Sequence, residues 1–271
     1  MISKTLMIAG VTLLVLGLGR AVFKNDPVRA KVAAQTHAVK PLNSTALTTA
    51  LDKTTKDYTN LDLGVAVVDL NTDETYVYGE KEPYYGASTT KVLVASLYLR
   101  EAEQGKRKLS DKVGGKAASA QITAMIVQSD NEAWSALRTA LGYANLNKYA
   151  ASLGMSSFVA QDNLVDTTDM AKLLQQLAEG KLLDKYDTTL LLGLMKKSIR
   201  NNISPALPST ATAYHKAGWL DDRFMDTAIV KNGDKNYVIV IFSKTFSGDY
   251  DFKAGSELYA SITKVVDAAI N

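Results

Sequence analysis

Ser88 and Lys91, in the run Ala87-Ser-Thr-Thr-Lys, stand three residues apart. On a helix that spacing puts both side chains on one face, about 60° apart and nearly one turn removed. A serine hydroxyl there can give its proton to a lysine amine that burial or a neighbouring cation keeps neutral, and can then attack a carbonyl. Spacing alone does not suffice, because Ser261 and Lys264 share it near the C-terminus, where no chemistry is assigned. Two other clusters carry suitable groups. Ser129-Asp130-Asn131 follows the apolar run QITAMIVQ and, taken by itself, reads as a helix cap ahead of EAWSAL. His215-Lys216-Ala217-Gly218-Trp219 lies close to a turn and, taken by itself, reads as a strand edge with a charged guard and a space-saving glycine.

Composition narrows the chemistry further. The chain of 271 residues has no cysteine, which excludes a disulfide, a thiol nucleophile, a thiolate zinc site and a lipid-modified cysteine anchor. His37 and His215 are its two histidines, so a three-histidine metal site cannot be built and a serine–histidine–acid triad has few sources. Lysine is left to carry the proton. No metal or organic cofactor follows from this arrangement. The formal charge of +3 falls to +1 once Lys4 and Arg20 of the first 20 residues are set aside, which gives no electrostatic footprint for nucleic acid.

The elements that must hold these groups are legible from periodicity. With 46% hydrophobic residues the chain can bury a sizeable core. Leu63–Leu70 and TYVYG read as two strands joined by a turn, and a helix is expected from Ser88 through VLVASLYLREAEQ. Further helices are expected around 118–127, 132–139, 146–153, 168–179 and 188–199. The last third changes period, giving strands near 214–219, 224–230 and 237–242 and a closing helix over 253–269. Strands at both ends with helices between them imply an α+β architecture. It consists of a sheet lobe formed by 44–86 and 212–271, with an all-helical lobe, 87–211, inserted.

Ahead of this domain, Lys4 is followed by an apolar stretch from Leu6 to Gly19. Residues 1–23 are therefore expected to be a signal anchor or signal peptide, and 24–43 a tether. No small-residue cleavage pattern follows, which favours an uncleaved anchor with Lys4 inside and the remainder outside the cytoplasm. The expected location is membrane-anchored or secreted.

Taken in order, Ser88/Lys91 at a helix start, Ser129-Asp130-Asn131 between helices and Lys216-Ala217-Gly218 on a late strand resemble the active-site set of the class A β-lactamase-like family of penicillin-recognising serine hydrolases. The resemblance extends to the turn at Leu153, to TTDMAKLLQQLAEG from Thr167, to RNNISPALP and to WLDDRFMDTAIV. It implies a β-lactamase/transpeptidase-like fold, an antiparallel sheet flanked by helices. It also implies roles: Ser88 as the acylated nucleophile, Lys91 as its proton acceptor and Ser129 as the relay to the leaving nitrogen. Lys216 keeps the field positive, Asn131 orients Lys91 and the substrate amide, and Asp130 braces the loop. The backbone N–H groups of Ser88 and Trp219 form the oxyanion hole. The substrate is then a β-lactam or, alternatively, a peptidoglycan stem peptide cut by a D-alanyl-D-alanine peptidase. A third reading is an envelope binding module of weakened activity.

Two departures from the family bear on turnover. Its members carry a glutamate on the omega loop that activates the deacylating water, whereas 156–166 here read SSFVAQDNLVD; Asp162 and Asp166 are the substitutes to be considered. Ala217 stands where the family has a threonine or serine whose hydroxyl helps hold the substrate carboxylate. Slow deacylation and poor turnover of ordinary β-lactams are expected. His215 is read as structural. Trp219 either lines the cleft or covers the sheet edge, and Tyr84 and Tyr85 either border substrate or pack the strand-to-helix transition.

Overall fold

A computed structural model describes residues 42–270. Its frame is a five-stranded antiparallel sheet made of β1 (Leu61–Asp69), β2 (Thr75–Gly79), β7 (Thr212–Leu220), β8 (Arg223–Asn232) and β9 (Lys235–Thr245), in the order β2-β1-β9-β8-β7. The N-terminal hairpin is thus completed by strands from the end of the chain, with Val65 facing Ile241 and Val67 facing Ile239 across β1 and β9.

Both faces of this sheet are covered, which explains why its strands read as continuous apolar runs rather than as alternating ones. On one face Val65, Val67, Ile239 and Ile241 pack against α1 (Ser44–Thr55) and α8 (Phe252–Ala269). Leu47 and Leu51 of α1 and Leu258, Ile262 and Val266 of α8 supply the facing stripes at helical spacing. On the other face Ala66, Val68, Val238, Val240 and Phe242 join a larger core formed with the intervening helices.

Those helices are α2 (Lys91–Glu103), α3 (Ala118–Thr123), α4 (Asn131–Leu141), α5 (Tyr143–Ser152), α6 (Thr167–Ala178) and α7 (Lys185–Lys196). From Lys91 to Leu99 every residue of α2 is buried, as befits a helix enclosed on all sides. α4, α6 and α7 are capped by the residues just before them, Asp130, Asp166 and Asp184, whose carboxylates each accept an N–H from the first turn. Two short pairs complete the fold: β3 (Tyr84–Tyr85) with β6 (Leu164–Val165), and β4 (Lys112–Val113) with β5 (Lys116–Ala117).

Two helices differ from the periodic reading. Helix α2 starts at Lys91 rather than Ser88, because Ala87 has φ +46° and Thr89 closes a turn on the carbonyl of Gly86 through both its N–H (3.1 Å) and its hydroxyl (2.6 Å). The helix expected over 118–127 is α only to Thr123 and continues as a π turn, Ala124–Gln128. Among the described residues no helix is long and apolar enough to cross a membrane. The expected signal segment, 1–23, and nearly all of the tether lie outside the described residues.

Candidate active site

The π turn is what aims Ser129. Its N–H reaches back to the carbonyl of Ala124, and the residue itself is left-handed at φ +60°. Widened turns of this kind recur at functional sites because they displace one residue from the helical register. The displacement leaves both the carbonyl and the hydroxyl of Ser129 facing α2. Asp130 then caps α4 by accepting the N–H of Ala133 at 2.7 Å, and Asn131 opens that helix.

Lys91 is buried at the start of α2 and donates to three acceptors. They are the Ser129 carbonyl at 2.7 Å, Asn131 Oδ1 at 2.7 Å and Ser129 Oγ at 3.3 Å. Burial, reinforced by the cation of Lys216 and opposed by Asp130, pushes its pKa down to about 7. Lys216 reaches the same hydroxyl from β7, donating to Ser129 Oγ at 2.9 Å. Burial lowers its pKa to about 8, with Arg200 adding to the effect and Asp226 opposing it. Ser129 Oγ therefore lies between two lysine nitrogens that can each gain or lose a proton close to neutrality.

Ser88 lines a cavity of about 210 Å³ together with Gln128, Ser129, Asn131, Arg200 and Trp219. Strand β7 is one edge of the sheet and passes directly against the Ser88 turn. A Cβ on Gly218 would stand 2.5 Å from the Ser88 nitrogen and 2.9 Å from Ala87 Cβ, so only glycine allows this approach. The backbone N–H of Ser88 and the edge of β7 at Trp219 thus flank one end of the cavity. Such an arrangement can do acyl transfer: a hydroxyl nucleophile, a lysine near neutrality, a second hydroxyl bridging two lysines and backbone donors beside them.

Neither Asp162 nor Asp166 lines this cavity. The carboxylate of Asp166 caps α6 by accepting the N–H of Asp169 at 2.6 Å, and Asp162 is exposed in the loop. The residue of that loop which reaches the Ser88 turn is Asn163. It is buried, accepts the Thr90 hydroxyl at 2.6 Å and donates to the Ala87 carbonyl at 2.9 Å. Ala217 is buried and offers only a methyl group. His215 is buried too, and burial followed by the Lys216 cation pushes its pKa down to about 4, so it is neutral. Tyr84 packs edge-on against Phe242, and Trp219 lines the cavity while carrying the guanidinium of Arg200 on its ring at 3.7 Å. Ser261 bonds the Glu257 carbonyl within its own helix.

Three residues to which the sequence reading gives no individual role matter here: Asn163, Arg200 and Asp226. A visible signal existed for Asp226, a carboxylate inside the apolar strand FMDTAIV. It is fully buried, paired across the ladder with Ala217, and accepts the N–H groups of Asn202 (2.7 Å) and Thr227 (2.8 Å). Burial pushes its pKa up to about 7, against the lowering effect of those N–H groups and of Lys216. The carboxylates of Glu103, Asp184 and Asp187 cluster at metal-ligand spacing, but Glu103 and Asp184 already accept backbone N–H groups, and none of the three lines the cavity.

Comparison with known proteins gives a consistent picture. The model of the family described as "Beta-lactamase enzyme family" matches residues 46–270. The β-lactamase CTX-M-8 of Citrobacter amalonaticus is 29% identical over 209 residues, 69% of this chain and 67% of that protein. PBP-A has the same fold with a TM-score of 0.77 at 22% identity, over 86% of this chain and 98% of its own. A mutant of PBP-A, solved as an acyl-enzyme complex with penicillin G, superimposes with a TM-score of 0.77 at 22% identity, over 85% of this chain and 98% of that one. A β-lactamase from Desulfarculus baarsii DSM 2075 does so with a TM-score of 0.77 at 20% identity, covering 84% and 98%.

Proposed function

The chain belongs to the β-lactamase enzyme family, and on that premise we propose that Ser88 is the acylated nucleophile of a serine hydrolase that opens β-lactams and releases the product slowly. The observation that carries the assignment is the bridge from Lys91 through Ser129 to Lys216, at 3.3 and 2.9 Å, whose middle member, Ser129, lines the same cavity as Ser88.

The steps follow from the donors and acceptors. Lys91, neutral in a good fraction of molecules at pH 7, takes the Ser88 proton as the Ser88 oxygen attacks the carbonyl carbon. The negative charge that develops on the carbonyl oxygen falls to the N–H groups of Ser88 and Trp219; losing one such donor costs about 3 kcal/mol. As the C–N bond breaks, the leaving nitrogen takes a proton from Ser129, which is resupplied from Lys91 or Lys216. Asn131 fixes the Lys91 amine, and Asp130 holds the turn.

Slow release is supported by the loop 153–166. It places Asn163, an amide, against the Ser88 turn, while Asp166 is engaged as a helix cap. An amide cannot accept the proton of an attacking water as a carboxylate can. The same feature favours a second reading, in which the physiological acyl donor is a peptidoglycan stem peptide cut as a D-alanyl-D-alanine peptidase. The apolar stretch Leu6–Gly19 behind Lys4 supports an extracytoplasmic domain held by a signal anchor. Protection of the C-terminal part from protease added outside intact cells would overturn that orientation. The catalytic assignment is tested by labelling with a fluorescent penicillin, which Ser88→Ala should abolish.

A further inference from the structure

Arg200 is an exposed cation held in an uncommon backbone conformation, φ +79°. Its guanidinium carbon sits over the Trp219 ring, 3.7 Å from the centroid, and, among the described residues, forms no ion pair with a carboxylate. The segment that carries it is fixed from below. Asn202 donates its N–H to the buried Asp226 at 2.7 Å, and Asn201 accepts the N–H of Ser204 at 2.7 Å. An arginine held over an aromatic ring, in a segment anchored at the residues that follow it, is pre-organised to receive an anion.

The Arg200–Trp219 pair is the shared wall of two cavities. One holds Ser88. The other, of about 410 Å³, is bounded beyond the pair by Asn202, Phe224, Phe252 and Ser256. Two of its polar side chains are already engaged: the Ser256 hydroxyl donates to the Phe252 carbonyl at 2.8 Å, and the Asn202 carboxamide is turned towards Asp226 and Ser256 at 3.4 Å each; Asn201, also in the lining, uses its Oδ1 to accept the Ser204 N–H. What the cavity offers an occupant is aromatic surface, including Phe252, which is 40% exposed at the start of α8 and edge-on to Phe224. Lys216 is buried and committed to Ser129, and the Ala217 methyl cannot hold an anion.

We propose that the catalytic cleft continues past the Arg200–Trp219 stack into a second subsite that takes an apolar, preferably aromatic, substituent borne beside a carboxylate, with the carboxylate resting on Arg200. The subsite deepens the acyl-transfer reading given above by naming which substrates the cleft selects: those whose scissile amide leads to a free carboxylate with a bulky neighbour.

The test separates binding from chemistry. The Ser88→Ala chain, labelled with ¹⁵N, is titrated with acetate, 3-phenylpropionate and 3-phenylpropanol while the Trp219 indole N–H resonance is followed. A charge-assisted contact and a buried phenyl ring each contribute at least a factor of about ten. 3-Phenylpropionate should therefore saturate at a concentration about tenfold or more below either single-feature probe. Arg200→Gln should erase its advantage over the alcohol. Ser256→Trp, which fills the second cavity, should erase its advantage over acetate, and Phe252→Ala should weaken that advantage without filling anything. Equal binding of the three probes, or 3-phenylpropionate binding that survives Arg200→Gln unchanged, would overturn the proposal. Fluorophosphonate labelling of the unsubstituted chain reports separately on Ser88: a titration as described with no label keeps the subsite and removes the nucleophile, whereas a label with three equal titrations does the reverse.

Discussion

Lys216 donates to the hydroxyl of Ser129 at 2.9 Å across 87 positions of sequence, joining the edge of the sheet to the π turn of the helical layer. The contact makes the sheet and the helices parts of one site. It also sets the charge state in which that site works, because the same hydroxyl lies 3.3 Å from Lys91.

A bell-shaped pH profile of acylation follows. Lys91, held at about 7, must be neutral to take the Ser88 proton, so the second-order rate with penicillin rises as pH climbs through about 7. Lys216, held at about 8, must keep its charge, so the rate falls as pH climbs through about 8. Because the two lysines interact, the limbs belong to the pair. Lys216→Arg stays protonated throughout and should move the falling limb upward. Lys91→Ala should lower the rate by about a hundred- to ten-thousandfold. Stopped-flow or label-incorporation rates from pH 5 to 10 check all three.

Asp166→Ala separates capping from catalysis. Loss of the cap on α6 should cost about 1 kcal/mol, read as a lower denaturation midpoint. The lifetime of the acyl-enzyme should not change. A markedly longer lifetime in this variant would show that Asp166 serves deacylation after all.

Gly218→Ala should disable the site through the backbone. The added Cβ meets the Ser88 nitrogen at 2.5 Å, and neither strand nor turn has a flexible side chain there to move aside. Overpacking of this kind costs about 1–3 kcal/mol. Acylation should fall far more than stability, since β7 is pushed away from the oxyanion position. Thermal melts and labelling rates on the same preparation measure both.

Asp226 should leave a signature in stability against pH. Its pKa is raised from the ordinary carboxylate range to about 7 by burial, so the folded chain binds a proton that the unfolded chain has released. Stability from this group is full below the unfolded value near 4 and declines as pH rises towards 7. Asp226→Asn removes the decline. The melting temperature of the variant relative to the unsubstituted chain should therefore rise between pH 4 and 7, and a flat difference would contradict the assignment.

The fold class and the family were legible because their signals are local or ordered. Ser88 and Lys91 fall within four residues, Ser129 and Lys216 each stand in a short distinctive run, and the apolar runs of β1 and β9 are those of a sheet buried on both faces. The family match over 46–270 bears out the resemblance drawn from those runs. What stayed hidden depends on contacts made at a distance. The hydrogen bonds of Asn163 to Thr90 and Ala87 span more than 70 residues and leave no periodic trace. The slip from α to π turn before Ser129 keeps the same apolar pattern while changing only which carbonyl each N–H meets. Arg200 opens the run RNNISPALP with no local sign of Trp219, which only the fold places against it.

On the proposed function, Ser88 forms the acyl-enzyme and little in the cleft hastens its hydrolysis. Time-resolved intact-mass measurement of the chain with benzylpenicillin, beside Ser88→Ala, tests it directly. The expected result is an adduct of one whole penicillin on the unsubstituted chain, absent from the variant and persisting through the time course. An equal adduct on Ser88→Ala, or none on either, would contradict the nucleophile; an adduct that appears and vanishes within the first points would contradict slow release.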